Sequence, residues 1–184
     1  MPDVFAQPVK YEFTGPNDTD SLGNEIRFPL VLPHSETESK RIVTEIVSWA
    51  FDTGGAQTKM ATSAQGINAS LSFRPLTAAE NDHDVPTATV GDIGVLDRIN
   101  IRLHNNGTPA TSHFTQDVFR RDLTGGTGFG VLLPGDRLYF NVTAGGTLNI
   151  SAHTLGLVVH YRQHLVGLTE FYGLLAMFMQ NPAA

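Results

Sequence analysis

The sequence has no cysteine, which excludes disulfides and thiolate-bound metal and leaves stability to packing or assembly. Lysine is scarce, with only Lys10, Lys40 and Lys59 among 12 basic residues. Adjacent basic pairs occur only at Lys40-Arg41 and Arg120-Arg121, and 18 acidic residues bring the formal net charge to −6. Phosphate binding needs clustered Lys and Arg, so no direct nucleic-acid partner is expected. No run of ~18 apolar residues is present to span a bilayer. The start, Met-Pro-Asp-Val-Phe, has neither the basic stretch nor the apolar run of a secretory signal. Low lysine with abundant Thr and Asp is a bias of proteins that work in concentrated salt, although −6 is mild for such a protein.

What is present describes a folded chain. Its 184 residues suit one domain. With 41% hydrophobic and 16% charged residues, there is material for a core and too little charge for disorder. Short alternating or apolar runs recur between turn signals. Val9 to Phe13 alternates and breaks at Gly15-Pro16-Asn17-Asp18; Ile26 to Leu32 follows, with Pro29 demanding an edge or bulge. Arg41 to Phe51 is the strongest strand of the first half. Its alternation puts Val43, Glu45, Val47, Trp49 and Phe51 on one side, and its β-branched density argues against helix.

Further strands are expected at 67–73, 98–103, 129–133, 137–142, 147–150 and 154–161. Residues 76–97 form a long connection of the kind that carries function or interaction. No internal repeat is visible. Many short strands separated by Gly and Pro turns predict an all-β fold, a single jelly-roll β-sandwich of about eight strands with long loops over residues 1–164.

Residues 165–184 differ. Leu165 to Met179 is too apolar to lie free in water and too short to span a bilayer. As a helix it carries Leu168, Tyr172, Leu175 and Met179 on one stripe and Phe171, Leu174 and Phe178 on another. Two readings stay open: a buried terminal strand or helix, or a tail packing into a neighbour or onto a membrane surface. Leu168, Phe171, Tyr172, Leu175, Phe178 and Met179 are the candidate inter-subunit contacts.

The search for chemistry returns little. His153 and His160 differ by an odd number and face opposite sides of a strand, while His160 and His164 share one side without a carboxylate at fitting spacing. Asp82-His83-Asp84 reads as a solvated loop. Pro134-Gly135-Asp136 with Tyr139-Phe140-Asn141 looks like part of a cupin motif, but Arg137 and Leu138 stand where its ligand histidine belongs, and no His-x-His pair exists. No nucleophile elbow, phosphate-binding loop or zinc-protease helix occurs, and Gly125-Gly126-Thr127-Gly128 lacks the Lys and helix of a phosphate cradle. No catalytic residue, cofactor or metal is assigned. Asn17, Asn68, Asn106, Asn141 and Asn149 begin Asn-x-Ser/Thr triplets, acceptors if a glycosylation machinery is met. A carbohydrate- or receptor-binding sandwich is the alternative function. Trp49, the single tryptophan, would then stack on sugar, whereas its apolar strand puts it in the core.

With its strands, Pro134-Gly135 hairpin and terminal Thr154-Leu155-Gly156-Leu157-Val158-Val159-His160-Tyr161-Arg162, the chain resembles a viral single jelly-roll capsid protein. It is most similar in pattern to the smaller major capsid protein of tailless icosahedral viruses with an internal membrane, the haloarchaeal sphaerolipovirus-like group. The resemblance implies a vertical jelly roll that assembles, in the host cytoplasm, with itself and a second jelly-roll protein. The products would be pseudo-hexameric capsomers of a virion shell over a membrane that the subunits can contact. It implies no reaction and no cofactor.

Overall fold

A computed structural model describes residues 4–12, 20–29, 40–52, 57–59, 65–82, 86–88, 94–103, 111–113, 118–133, 136–144 and 154–179. It contains β1 (Phe5–Glu12), β2 (Asp20–Arg27), β3 (Lys40–Asp52), β4 (Gln57–Lys59), β5 (Gln65–Ser72), β6 (Val95–Leu103), β7 (Thr111–His113), β8 (Val118–Asp122), β9 (Val131–Leu133), β10 (Arg137–Ala144), β11 (Thr154–Gly167) and α1 (Leu168–Met179). One sheet runs β1-β11-β3-β8, with β9 pairing β3 beyond β8; the other runs β2-β10-β5-β6, and β4 pairs β7 separately. The first and last strands are neighbours, and every pairing is antiparallel. This wrapping of the chain across two facing sheets is the jelly roll.

The core lies between the sheets. Trp49, Phe51, Leu157, Val159 and Tyr161 meet Ile67, Leu71, Leu138, Phe140 and Val142 from the opposite layer. Phe140 packs edge-on to Trp49 at 6.4 Å and tilted against Phe51 at 5.8 Å, and Phe28 lies 4.9 Å from Tyr161. Trp49 is 1% exposed and donates its indole N–H to Asp97 on β6 at 2.7 Å, which ties the two sheets together. Arg121 reaches the same carboxylate at 3.5 Å. The single tryptophan is therefore core and cannot stack on a sugar from the surface.

One expectation about β3 is corrected. Ile46 pairs with Tyr161 and Ser48 with His160, so Val47 is an extra residue, a β-bulge that reverses the alternation. Ile42, Thr44 and Ile46 face the core before it, Trp49 and Phe51 after it. Val43 and Glu45 turn to the outer face, where both are nonetheless buried. The carbonyl of the bulged Val47 accepts the Leu123 N–H at 2.9 Å.

The strand expected over Ile26 to Leu32 ends at Arg27. Pro29 follows it, and its carbonyl accepts from Gln163 at 3.1 Å and from the Tyr161 hydroxyl at 3.4 Å. Leu30 to Leu32 and 147–150 lie outside the described residues, while β11 continues through Gly167, pairing Leu165 with Ile42.

The described part of the 76–97 connection is packed down rather than free to act as a loop. Leu76, Ala88 and Val95 form a small second core. Asn81, fully buried, accepts from Ser70 Oγ at 2.6 Å, donates to the Asn68 carbonyl at 3.2 Å, and through its own carbonyl accepts from Asn68 and Thr143. Asn141 accepts from the Gly23 and Leu76 N–H groups at 2.8 and 3.2 Å. Burying amides costs free energy unless they are paired, and these are spent clamping the connection to the second sheet. Two of the glycosylation triplets are thereby closed, since Asn68 and Asn141 are both 0% exposed. Asn17, Asn106 and Asn149 lie outside the described residues.

The same connection carries an acid-sensitive turn. Thr77 and Glu80 bond reciprocally, N–H to carboxylate at 2.9 Å and N–H to hydroxyl at 3.3 Å, and Arg74 pairs with Glu80. The Arg74 guanidinium, then the Thr77 N–H, hold the Glu80 carboxyl at about 2, against about 4.3 for a free glutamate. The depressed value means the folded state favours the ionised form. Its contribution is complete above about pH 5 and fades as pH falls toward 2. Glu80→Gln should cost about 1 kcal/mol at pH 7, discounted for the half-exposed Arg74. Urea midpoints of the two proteins should converge at pH 2, and a gap independent of pH would refute this account.

Candidate interaction surface

Two features of the described residues are not explained by the sandwich core. The first is α1. Gly167 can cap its N-terminus, and Glu170 in the first turn favours the helix dipole. It folds back on β3 and β11. Of the segment 165–179, residues 165–167 complete β11 and residues 168–179 are helix. Leu168, Phe171, Leu174 and Leu175 are only half-buried, and Tyr172, 5.8 Å edge-on to Phe171, is 59% exposed. Of the candidate contacts, Leu168, Phe171, Tyr172 and Leu175 thus share one helix with apolar surface still facing water. The Phe178 and Met179 side chains lie outside those described. Each Phe- or Tyr-sized side chain left exposed forgoes about 2 kcal/mol of burial. No helix among the described residues is long and apolar enough to cross a membrane.

The second feature is a charged node under the β8–β9 loop (residues 123–130). Glu45 is 2% exposed. It accepts the Gly130 N–H at 2.5 Å and the His164 Nε2 at 2.6 Å, and lies 3.5 Å from Arg162 Nη1. Arg162 also donates to the Gly128 carbonyl at 2.9 Å. Burial pushes the Glu45 carboxyl up. The Gly130 N–H, the His164 bond and the charges of His164 and Arg162 outweigh that and bring it below its ordinary value. The loop is pinned on both sides of Phe129, which is 71% exposed. Sequence reasoning missed this node. A glutamate in the apolar run Ile42 to Val47 was its signal, since such a charge is seldom buried without partners.

The two described histidines of β11, His160 and His164, do not converge on one site. His160 Nδ1 lies 3.2 Å from Ser48 Oγ, His164 binds Glu45, and no group of His, Asp or Glu fit to hold a metal occurs among the described residues. His83, Asp84 and His153 lie outside them. At the cupin-like position Leu138 is a core residue and Arg137 is exposed. Gly125, Gly126 and Gly128 all adopt positive φ within the exposed loop, with a bend closed by Asp122 on Thr124 at 2.9 Å.

No protein-family model and no curated protein matches this sequence. Solved structures do. Washington University polyomavirus VP1, as an unassembled pentamer, superposes at a TM-score of 0.51 with 13% identity over 89% of this chain and 94% of that one. New Jersey polyomavirus VP1 gives 0.49 with 11% identity over 90% and 100%. The Human polyomavirus 7 VP1 pentamer gives 0.45 with 12% identity over 88% and 95%. The fold is that of a viral-capsid jelly roll. At these identities the likeness is one of architecture.

Proposed function

We propose that this protein is a structural subunit of a virus capsid, located in the virion shell and acting by assembly rather than catalysis. The observation that carries the proposal is α1: a jelly-roll sandwich with a sound core ends in an apolar helix only half covered by its own chain. A lone subunit would gain by burying Tyr172 and its neighbours in another. The capsid VP1 fold and the pentameric state of the VP1 proteins it resembles support the same reading. In the finer form, the subunit combines with copies of itself and a second jelly-roll protein in pseudo-hexameric capsomers over an internal membrane, assembled in the host cytoplasm. The low-lysine composition suits a haloarchaeal host. Many weak contacts suffice, because closure of a shell multiplies them.

Deleting α1 would remove its contacts with β3 and β11, so a point change is the cleaner test. Tyr172→Asp should leave the melting temperature of the isolated subunit within a degree or two. It should weaken self- or co-association at least ~10-fold, one buried aromatic being worth more than 1.4 kcal/mol. Sedimentation velocity and electron microscopy of the assembled particles read the effect. A variant that assembles like the parent removes the helix from the account, and a parent that stays monomeric with every co-expressed capsid protein refutes the function.

A further inference from the structure

Beside the pinned loop, the outer face of the β1-β11-β3-β8 sheet is an open groove of about 780 Å³, within the ~300–1,000 Å³ range of ligand clefts. Its floor is formed by Gly156, Ala50, Ser48 and Val158, with Pro8, Asp52 and His160 beside them on the same face. A Cβ at Gly156 would already stand 3.2 Å from Asp52 Cβ. On β8, Arg120 pairs with Ala50 and Asp122 with Ser48, so opposite charges two residues apart share this face. Both are exposed.

That charge order is complementary to itself when reversed. Two copies laid face to face with strands antiparallel, about a two-fold axis level with Trp49, set Ser48 of each opposite Ala50 of the other. Arg120 of each copy then meets Asp122 of its mate, twice over. The same operation exchanges the Ile46 and Asp52 ends, carrying the loop that presents Phe129 toward the far end of the other groove. An isologous contact must match a patch to its own rotated image, and the Arg120–Asp122 order does so in charge. A preformed aromatic knob held by Glu45 and Arg162 loses little freedom on docking.

We propose that the outer face of the β1-β11-β3-β8 sheet is a two-fold contact between copies of this chain, joined by reciprocal Arg120–Asp122 pairs and anchored by Phe129. The inference rests on the assembling role above and adds to it. A shell of ring-shaped capsomers needs a between-ring contact as well as a within-ring one, and no described residue of α1 lines this groove.

Charge exchange tests it. Arg120→Asp sets like charges against each other and should weaken the two-fold association at least ~10-fold, with added salt now strengthening the residual association instead of weakening it. The double change Arg120→Asp with Asp122→Arg restores the pairing in reverse and should recover most of the loss. Phe129→Ser should weaken it comparably, with thermal melts verifying that each variant is folded. The cysteine-free chain allows an independent check. Mixed Arg120→Cys and Asp122→Cys proteins, treated with a short bismaleimide, should give a crosslinked dimer, and neither alone should approach that yield. A folded double variant that stays dissociated, or a mixture that does not crosslink, overturns the contact. If Tyr172→Asp abolishes no assembly while the crosslink forms, the helix reading fails and this one stands. If assembly depends on Tyr172 and the crosslink is missing, the reverse holds.

Discussion

Gly130→Ala should be among the most destabilising single-methyl changes in this protein, costing about 3 kcal/mol or more. An ideal Cβ at Gly130 would lie 1.9 Å from the Ile46 carbonyl oxygen and 2.7 Å from its carbon. Those are backbone atoms of β3, which is held by β11 on one edge and by β8 and β9 on the other. They cannot step aside, so the loop must. Retreat by an ångström or more breaks the Gly130 N–H bond to Glu45 and loosens β9 at Val131, its partner being Ile46. The wild-type and variant proteins should differ in urea midpoint with little change in slope. Gly173→Ala is the contrast. A Cβ there meets nothing within 4 Å, and in a helix alanine is favoured over glycine by about 1 kcal/mol, so that variant should be as stable as the parent or more so. Similar midpoints for the two variants would refute the packing account of Gly130.

Glu45→Ala should cost about 3–5 kcal/mol, the range found when one partner of a buried ion pair is removed. Arg162 keeps 13% of its side-chain exposure. Without Glu45 it retains the Gly128 carbonyl but no counter-charge at this node, while the Gly130 N–H and His164 lose their acceptor. The pH dependence has a definite sign. A carboxyl held below its ordinary value stabilises the fold above that value and ceases to do so as acid protonates it, so the deficit of Glu45→Ala should be largest near neutrality and shrink on acidification. The variant should also release the loop, visible as faster amide exchange over residues 123–130. A stability loss below 1 kcal/mol with unchanged loop exchange would show that Glu45 is not the pin.

Several parts of this fold were plain in the residues. Arg98 to Leu103, Arg137 to Val142 and the run ending at Tyr161 alternate or stay apolar as strands do, and each lies inside an observed strand. The one tryptophan sits in the core, as its apolar strand required. The tail was legible as apolar and unable to stand alone, yet periodicity could not decide between strand and helix because nearly every face carries a hydrophobic side chain. The sandwich function of Asn68 and Asn141 was hidden in glycosylation-like triplets. Only the surrounding chain reveals that they are hydrogen-bonded clamps.

The all-β class, the number of main strands and the burial of Trp49 follow from local pattern, since side chains two apart along a strand share a face whatever the partner. Which face Glu45 would take was beyond that rule. The bulge at Val47 exists only because β11 and β8 pair with β3 in a particular register, and one inserted residue inverts every later position. Glu45 then meets residues 85, 117 and 119 places away. Contacts of that separation are settled when the sheets close, by packing and charge satisfaction across the finished sandwich.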